Sequence, residues 1–210
     1  MKNCILFDND GVLVHTEPLY YEANKIILKK ELNLDLEFEY YMNIMSKGGS
    51  AFELAFSNGV SKSVVEACRT KRDNLYQELI TTKDIAIKDV KTVLKELAKK
   101  YKMAIVTTSR RVDFELIHKN RGIVDFMDFV LCEEDYERAK PYPDPYLKAL
   151  EIFGARAEDA VVVEDSNRGL MAAKSANIDC IVVENEFTLT QDFSQADFYI
   201  KRFDELLKIL

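Results

Sequence analysis

Short apolar runs bounded by polar residues recur along the chain, at Cys4–Phe7, Met103–Val106, Phe129–Leu131, Val161–Val163 and Cys180–Val183, with a weaker one at Phe198–Ile200. Runs of this length without polar alternation predict strands buried on both faces, as in a parallel sheet. Between them the apolar spacing changes to a helical period, over Val90–Lys100, Val112–Asn120, Pro145–Phe153 and Leu170–Ala176. From about residue 87 onward strand and helix alternate. That pattern predicts an α/β fold, a doubly wound parallel sheet with a Rossmann-like core.

Residues 16–86 follow a different rule. Helical periodicity runs through Leu19–Leu32, Leu36–Met45, Ser50–Phe56 and Lys62–Thr81, interrupted at Lys47-Gly48-Gly49 and Asn58-Gly59. Pro18 falls in a first turn, where its missing N–H costs nothing. One strand, then an all-helical block, then the rest of an α/β pattern predicts a core made of 1–15 and 87–210 with a helical domain, 16–86, inserted after the first strand.

Composition narrows the function classes. The 210 residues are 48% apolar and 31% charged with 7 Gly and 4 Pro, which suits a packed globular chain rather than a disordered one. Lys and Arg number 29 against 36 Asp and Glu, a net charge of −7, so nucleic acid and anionic membrane surfaces are poor partners. No apolar run approaches the roughly 18 residues of a membrane span, and Asp8 interrupts the N-terminal run before a secretory leader forms. Cys4, Cys68, Cys132 and Cys180 lack metal-ribbon or disulfide-frame spacing, and the expectation is a cytoplasmic protein in a reducing compartment.

In open α/β sheets ligands bind outside the carboxyl ends of the strands. Here those ends carry Asp8-Asn9-Asp10-Gly11, Thr107-Thr108-Ser109 and Glu164-Asp165-Ser166, and a later loop carries Lys140-Pro141. Several carboxylates gathered in a partly dry site repel one another unless a cation shares their charge. Mg²⁺ suits such hard oxygen donors, particularly beside a substrate phosphate. With a metal and a lysine at hand, one aspartate can attack phosphorus while the other moves the proton.

The segments Phe7-Asp8-Asn9-Asp10-Gly11-Val12-Leu13-Val14, Ile105-Val106-Thr107-Thr108-Ser109, Lys140-Pro141-Tyr142-Pro143-Asp144-Pro145 and Val163-Glu164-Asp165-Ser166 together resemble the four motifs of the haloacid dehalogenase-like superfamily, in family order and over nearly the whole chain. The resemblance is closest to the phosphatase and phosphoglucomutase branch, whose helical cap is inserted between the first two motifs. It implies Asp8 as nucleophile, Asp10 as general acid/base, Thr107 as a hydrogen-bond donor to the phosphoryl group, and Lys140 as its counter-charge. It further implies Mg²⁺ held by Asp8, the Asp10 backbone carbonyl, Asp165 and Glu164. Thr108 and Ser109 are candidate substrate contacts, either of which could bond the phosphate in place of Thr107. In the insert, Lys47 and Tyr20 are the candidate substrate residues of a cap that closes over the site. Asn9 departs from the family pattern, which has an apolar or aromatic residue there, as does His15, where an acidic residue is common.

The expected reaction is hydrolysis of a small phosphorylated metabolite, a sugar phosphate in first place, through an aspartyl-phosphate. The alternatives are a phosphosugar mutase and a non-catalytic phosphate-sensing module. The mutase is disfavoured because Ala51 and Tyr20 stand where the sugar mutases carry an arginine and a histidine; the sensor, by the inserted domain and the paired Asp8 and Asp10. Dehalogenation fits the acidic pair and Glu164-Asp165 less well than phosphoryl transfer does. Arg110 and Arg111 are read as exposed helix-opening residues or an anion grip, His118 as a surface residue, and Tyr20, Tyr21, Phe38, Tyr40 and Tyr41 as packing for the inserted domain.

Overall fold

The computed structural model describes residues 2–210; Met1, the first residue of the expected core segment, lies outside them. Six strands form one sheet: β1 (Cys4–Phe7), β2 (Lys102–Val106), β3 (Phe129–Leu131), β4 (Ala160–Glu164), β5 (Asp179–Val183) and β6 (Phe198–Ile200). Their order is β3-β2-β1-β4-β5-β6, and every pairing is parallel. The strand order reverses at β1, which starts the chain in the centre of the sheet, and a reversal of this kind creates a ligand crevice at the carboxyl edge.

The strand signals follow from burial. All of β1 and β4 is buried, as is β2 after Lys102, whereas edge strand β6 buries only Ile200 and exposes Phe198 and Tyr199. The edge position explains why its apolar run is the weakest. On one face of the sheet Leu6, Ala104, Val106 and Val162 pack with Tyr146, Ala149 and Leu150 of α7 (Asp144–Phe153) and with Leu170, Ala172 and Ala173 of α8 (Asn167–Ser175). Small alanines let α8 lie close to the strands, and each large buried side chain contributes about 1.5–3 kcal/mol. The alternate residues Ile5, Phe7, Met103, Ile105 and Val161 point to the opposite face, where Phe7 meets the Phe203 ring with centroids 6.0 Å apart. The remaining core helices are α5 (Val90–Leu97), α6 (Arg111–His118) and α9 (Leu206–Ile209), the last of which periodicity did not anticipate.

The chain divides into two compact units, one holding the residues up to His15 together with Ala86–Leu210, the other Thr16–Ile85. The second unit is helical, with α1 (Glu17–Leu32), α2 (Phe38–Ser46), α3 (Glu53–Ser57) and α4 (Lys62–Thr82). Within it, α1 packs along α4, where Arg72 bonds Asn24 Oδ1 at 2.9 Å and lies 4.5 Å from the Tyr20 ring centre. Tyr21 meets Tyr41 at a tilt and Phe38 edge-on, so four of the five aromatics expected to pack this unit engage in ring contacts, Tyr20 edge-on to Tyr76 at 5.1 Å.

Candidate active site

Parallel register brings the motifs together. Phe7 is level with Ile105 of β2 and Val163 of β4, so Asp8 emerges beside the ends of both neighbours, its amide still bonded to the Val163 carbonyl at 2.9 Å. The chain then turns sharply, with the amides of Val12, Leu13 and Val14 directed at the Asn9 carbonyl. Gly11 takes φ +82° at this turn, and a Cβ there would lie 2.0 Å from Asp165 Oδ2. Glycine is required twice over, by its backbone conformation and by the approach of Asp165.

Lys140 is the hub of the buried charges. Its ammonium donates to Asp8 Oδ1 at 2.6 Å, Glu164 Oε1 at 2.7 Å and the Val106 carbonyl at 2.9 Å, which accounts for all three protons. Burial works against the charged lysine, but Asp8 and Glu164 outweigh it and hold its pKa above the ordinary value. Burial likewise works against ionised Glu164, and the Lys140 charge with the Lys140, Tyr146 and Ser166 hydrogen bonds keeps it below the ordinary range. Asp8 has no such donor set. Burial, reinforced by the Glu164 and Asp10 charges, pushes its carboxyl up to about 8 against the pull of Lys140.

One ligand atom each from Asp8, Glu164 and Asp165 lie within 4.8 Å of one another. The three are not equivalent. Glu164 Oε1 accepts from Lys140 and, at 2.8 Å, from the Tyr146 hydroxyl; its Oε2 accepts from the Asp165 and Ser166 amides and the Ser166 hydroxyl. Five donors occupy this carboxylate, which holds Lys140 and is also one of the three acidic groups that could hold a metal. Asp165 has its Oδ2 fixed by Asn185 Nδ2 at 2.7 Å and stands at the carboxyl edge with Asp8. The carboxylates that could hold a divalent cation are thus Asp8, Glu164 and Asp165, and hard oxygen donors gathered in this way suit a cation of that charge.

Asp10 Oδ2 collects hydrogen bonds from Ser109 Oγ at 2.7 Å, Thr107 Oγ1 at 3.2 Å and Asn9 Nδ2 at 3.2 Å. Thr107 is fully buried and also accepts from the Ser109 amide, whereas Thr108 is exposed. Asp8, Asp10, Thr107, Ser109, Lys140, Glu164 and Asp165 therefore gather at the carboxyl edge. Lys47 and Tyr20 belong to the helical unit, Lys47 exposed and Tyr20 half-buried against Arg72. Arg110 and Arg111 pair with Asp113 and Asp135.

The expectation of a surface position for His118 is overturned. It is buried, with Nε2 2.7 Å from Asn9 Oδ1, because it follows Phe114 by one helical turn on the inward face of α6. That spacing was a usable signal. Asn185 also had one, since it stands just beyond β5 at a carboxyl strand end, whereas Tyr146 reaches Glu164 from a helix face that carries no motif.

The haloacid dehalogenase-like hydrolase family model matches residues 5–183. The chain belongs to this family. Pyrophosphatase PpaX of Bacillus cereus is 29% identical over 221 residues, spanning 99% of this chain and 96% of that protein. Protein CbbY of Rhodobacter capsulatus is 25% identical over 207 residues, 93% and 91% of the two chains. Among solved structures, CbbY from Rhodobacter sphaeroides in complex with phosphate superposes with a TM-score of 0.83 at 24% identity, covering 98% of this chain and 96% of that one, which establishes the shared fold.

Proposed function

We propose that the protein is a Mg²⁺-dependent phosphatase that hydrolyses a small phosphorylated metabolite, with a sugar phosphate the first choice, through an aspartyl-phosphate on Asp8. The observation that carries this reading is the buried arrangement of Lys140 between Asp8 and Glu164, with Asp10 alongside on Thr107 and Ser109. A nucleophilic carboxylate must be ionised, and a lone buried Asp8 resists ionisation. Asp8, the Asp10 carbonyl, Asp165 and Glu164 would hold Mg²⁺, which when bound supplies positive charge against Asp8 and the phosphoryl oxygens.

In this mechanism an Asp8 oxygen attacks phosphorus while Asp10 gives its proton to the leaving oxygen. Asp10 then takes a proton from water, which attacks the phosphorus of the aspartyl-phosphate and restores Asp8. Lys140 steadies the Asp8 carboxylate and, with the Thr107 hydroxyl, offsets charge that grows during transfer. Residues 16–86 are the specificity-carrying cap domain, with Lys47 and Tyr20 as its candidate substrate contacts.

The similarity to proteins called pyrophosphatase PpaX favours a second substrate, inorganic pyrophosphate, for the same residues. A panel of sugar phosphates, other metabolite monoesters and pyrophosphate, run with Mg²⁺ and with chelator, separates the two. Phosphate release that needs Mg²⁺ and falls by at least about a thousandfold in Asp8→Asn is the expected result. Equal release by wild type and Asp8→Asn would reject Asp8 as nucleophile, and isomerisation of β-glucose 1-phosphate without phosphate release would favour a mutase.

A further inference from the structure

Asn9 and His118 are both left unused by the catalytic scheme, and they are bonded to each other. His118 Nε2 lies 2.7 Å from Asn9 Oδ1, and Asn9 Nδ2 donates to Asp10 Oδ2 at 3.2 Å. Asn9 is fully buried, and the His118 ring rests against Phe114 with centroids 4.4 Å apart. Burial and the Arg121 charge hold His118 neutral, its pKa brought down to about 4 although Asp10 pulls the other way. A neutral imidazole has one N–H, and the Asn9 carbonyl oxygen only accepts, so that proton is on Nε2.

Packing does not account for the pair. His118 Nδ1 is buried and has no hydrogen-bond partner. An unsatisfied buried acceptor costs about 1–3 kcal/mol, which an apolar ring in the same space would avoid. The His118 bond does one thing that such a ring could not: it determines which end of the Asn9 amide faces Asp10. Rotated by half a turn, the amide would set its oxygen against Asp10 Oδ2 and withdraw one of the donors that hold that oxygen. In the observed orientation, Asn9, Thr107 and Ser109 all donate to Oδ2. An oxygen receiving three donors is held as an acceptor, which fixes the orientation of the Asp10 carboxyl.

We propose that His118 and Asn9 are positioning residues for Asp10, His118 locking the Asn9 amide so that the Asp10 carboxyl is presented to the leaving oxygen in one orientation. The assignment rests on Asp10 being the acid/base of the proposed reaction. It predicts a defect specific to proton delivery. Phosphates with poor leaving groups depend on that proton, and p-nitrophenyl phosphate depends on it little.

The test compares wild type, His118→Phe, Asn9→Leu and the double variant on p-nitrophenyl phosphate and unsubstituted phenyl phosphate. The ratio of the two kcat/KM values does not depend on the fraction of folded enzyme, so a loss of stability alone leaves it unchanged. The expected result is that each single variant loses about tenfold more activity on the phenyl ester than on the nitrophenyl ester, a fraction of the 10²–10⁴ that a general acid supplies. The double variant should lose no more than either single one, and His118→Gln, whose amide can still donate to Asn9, should recover part of the ratio. Unchanged ratios in both single variants, with hydrolysis still dependent on Asp8, would overturn the role of His118 and Asn9 while leaving the phosphatase reading in place. Absence of Asp8-dependent hydrolysis of either ester would overturn both. Nitrogen-15 NMR of the His118 ring in the full-length protein gives a readout free of turnover: a proton on Nε2 is expected, and one on Nδ1 would overturn the locking contact whatever the protein hydrolyses.

Discussion

Asp165 shows how a single buried contact tunes the site. Asn185 donates to its Oδ2, and Gly11 leaves the space that the same oxygen fills. Such a partner sets ligand direction without touching the ion, and its removal typically costs 10–100-fold in metal affinity. Asn185→Ala is therefore expected to raise the Mg²⁺ concentration for half-maximal activity about 10–100-fold with little change in the maximal rate. An unaltered Mg²⁺ titration would contradict the assignment of Asp165 as a ligand. At this scale legibility was uneven. Asp8, Asp10, Thr107 and Asp165 stand at strand ends, where sequence position alone marks a residue for the carboxyl edge. Asn9 and His118 could not be matched because a hydrogen bond between residues 109 apart leaves no local pattern. Glu164 stands at the same strand end as Asp165, but the five donors around it were not legible in the sequence.

Helix α8 illustrates an element fitted to a charge. Ser166 caps it, accepting from the Gly169 amide at 3.1 Å while its hydroxyl donates to Glu164 Oε2 at 3.0 Å. Gly169 faces the same carboxylate so closely that a Cβ would lie 1.7 Å from Glu164 Oε1. In an ordinary helix, alanine is better than glycine by about 1 kcal/mol. Here Gly169→Ala is expected to lower the melting temperature and to reduce kcat at least about tenfold, because Glu164 must move off Lys140. A higher melting temperature with intact turnover would contradict the arrangement. The strands themselves were legible from their apolar runs. Those of β1, β3 and β6 coincide with the strands, those of β2, β4 and β5 needed only extension at their ends, and the helices shifted by a few residues. Helix α9 escaped because four residues hold too little periodicity to register.

At the scale of the whole molecule, the sheet order places β1 centrally, so the first acidic residue of the chain stands between the ends of two neighbouring strands. Among the described residues no helix is long and apolar enough to cross a membrane. The net charge of −7 continues into the site, where Lys140 is bonded to both Asp8 and Glu164 and Asp165 lies next to them. That imbalance is what a divalent cation would offset. The most direct test is a crystal structure of the protein with Mg²⁺ and fluoroberyllate, which mimics a phosphoryl group on a carboxylate. The account predicts beryllium bonded to an Asp8 oxygen, with Mg²⁺ between Asp8 and Asp165. Fluoroberyllate on any other side chain, or an Asp8 carboxylate left unmodified under saturating conditions, would contradict it.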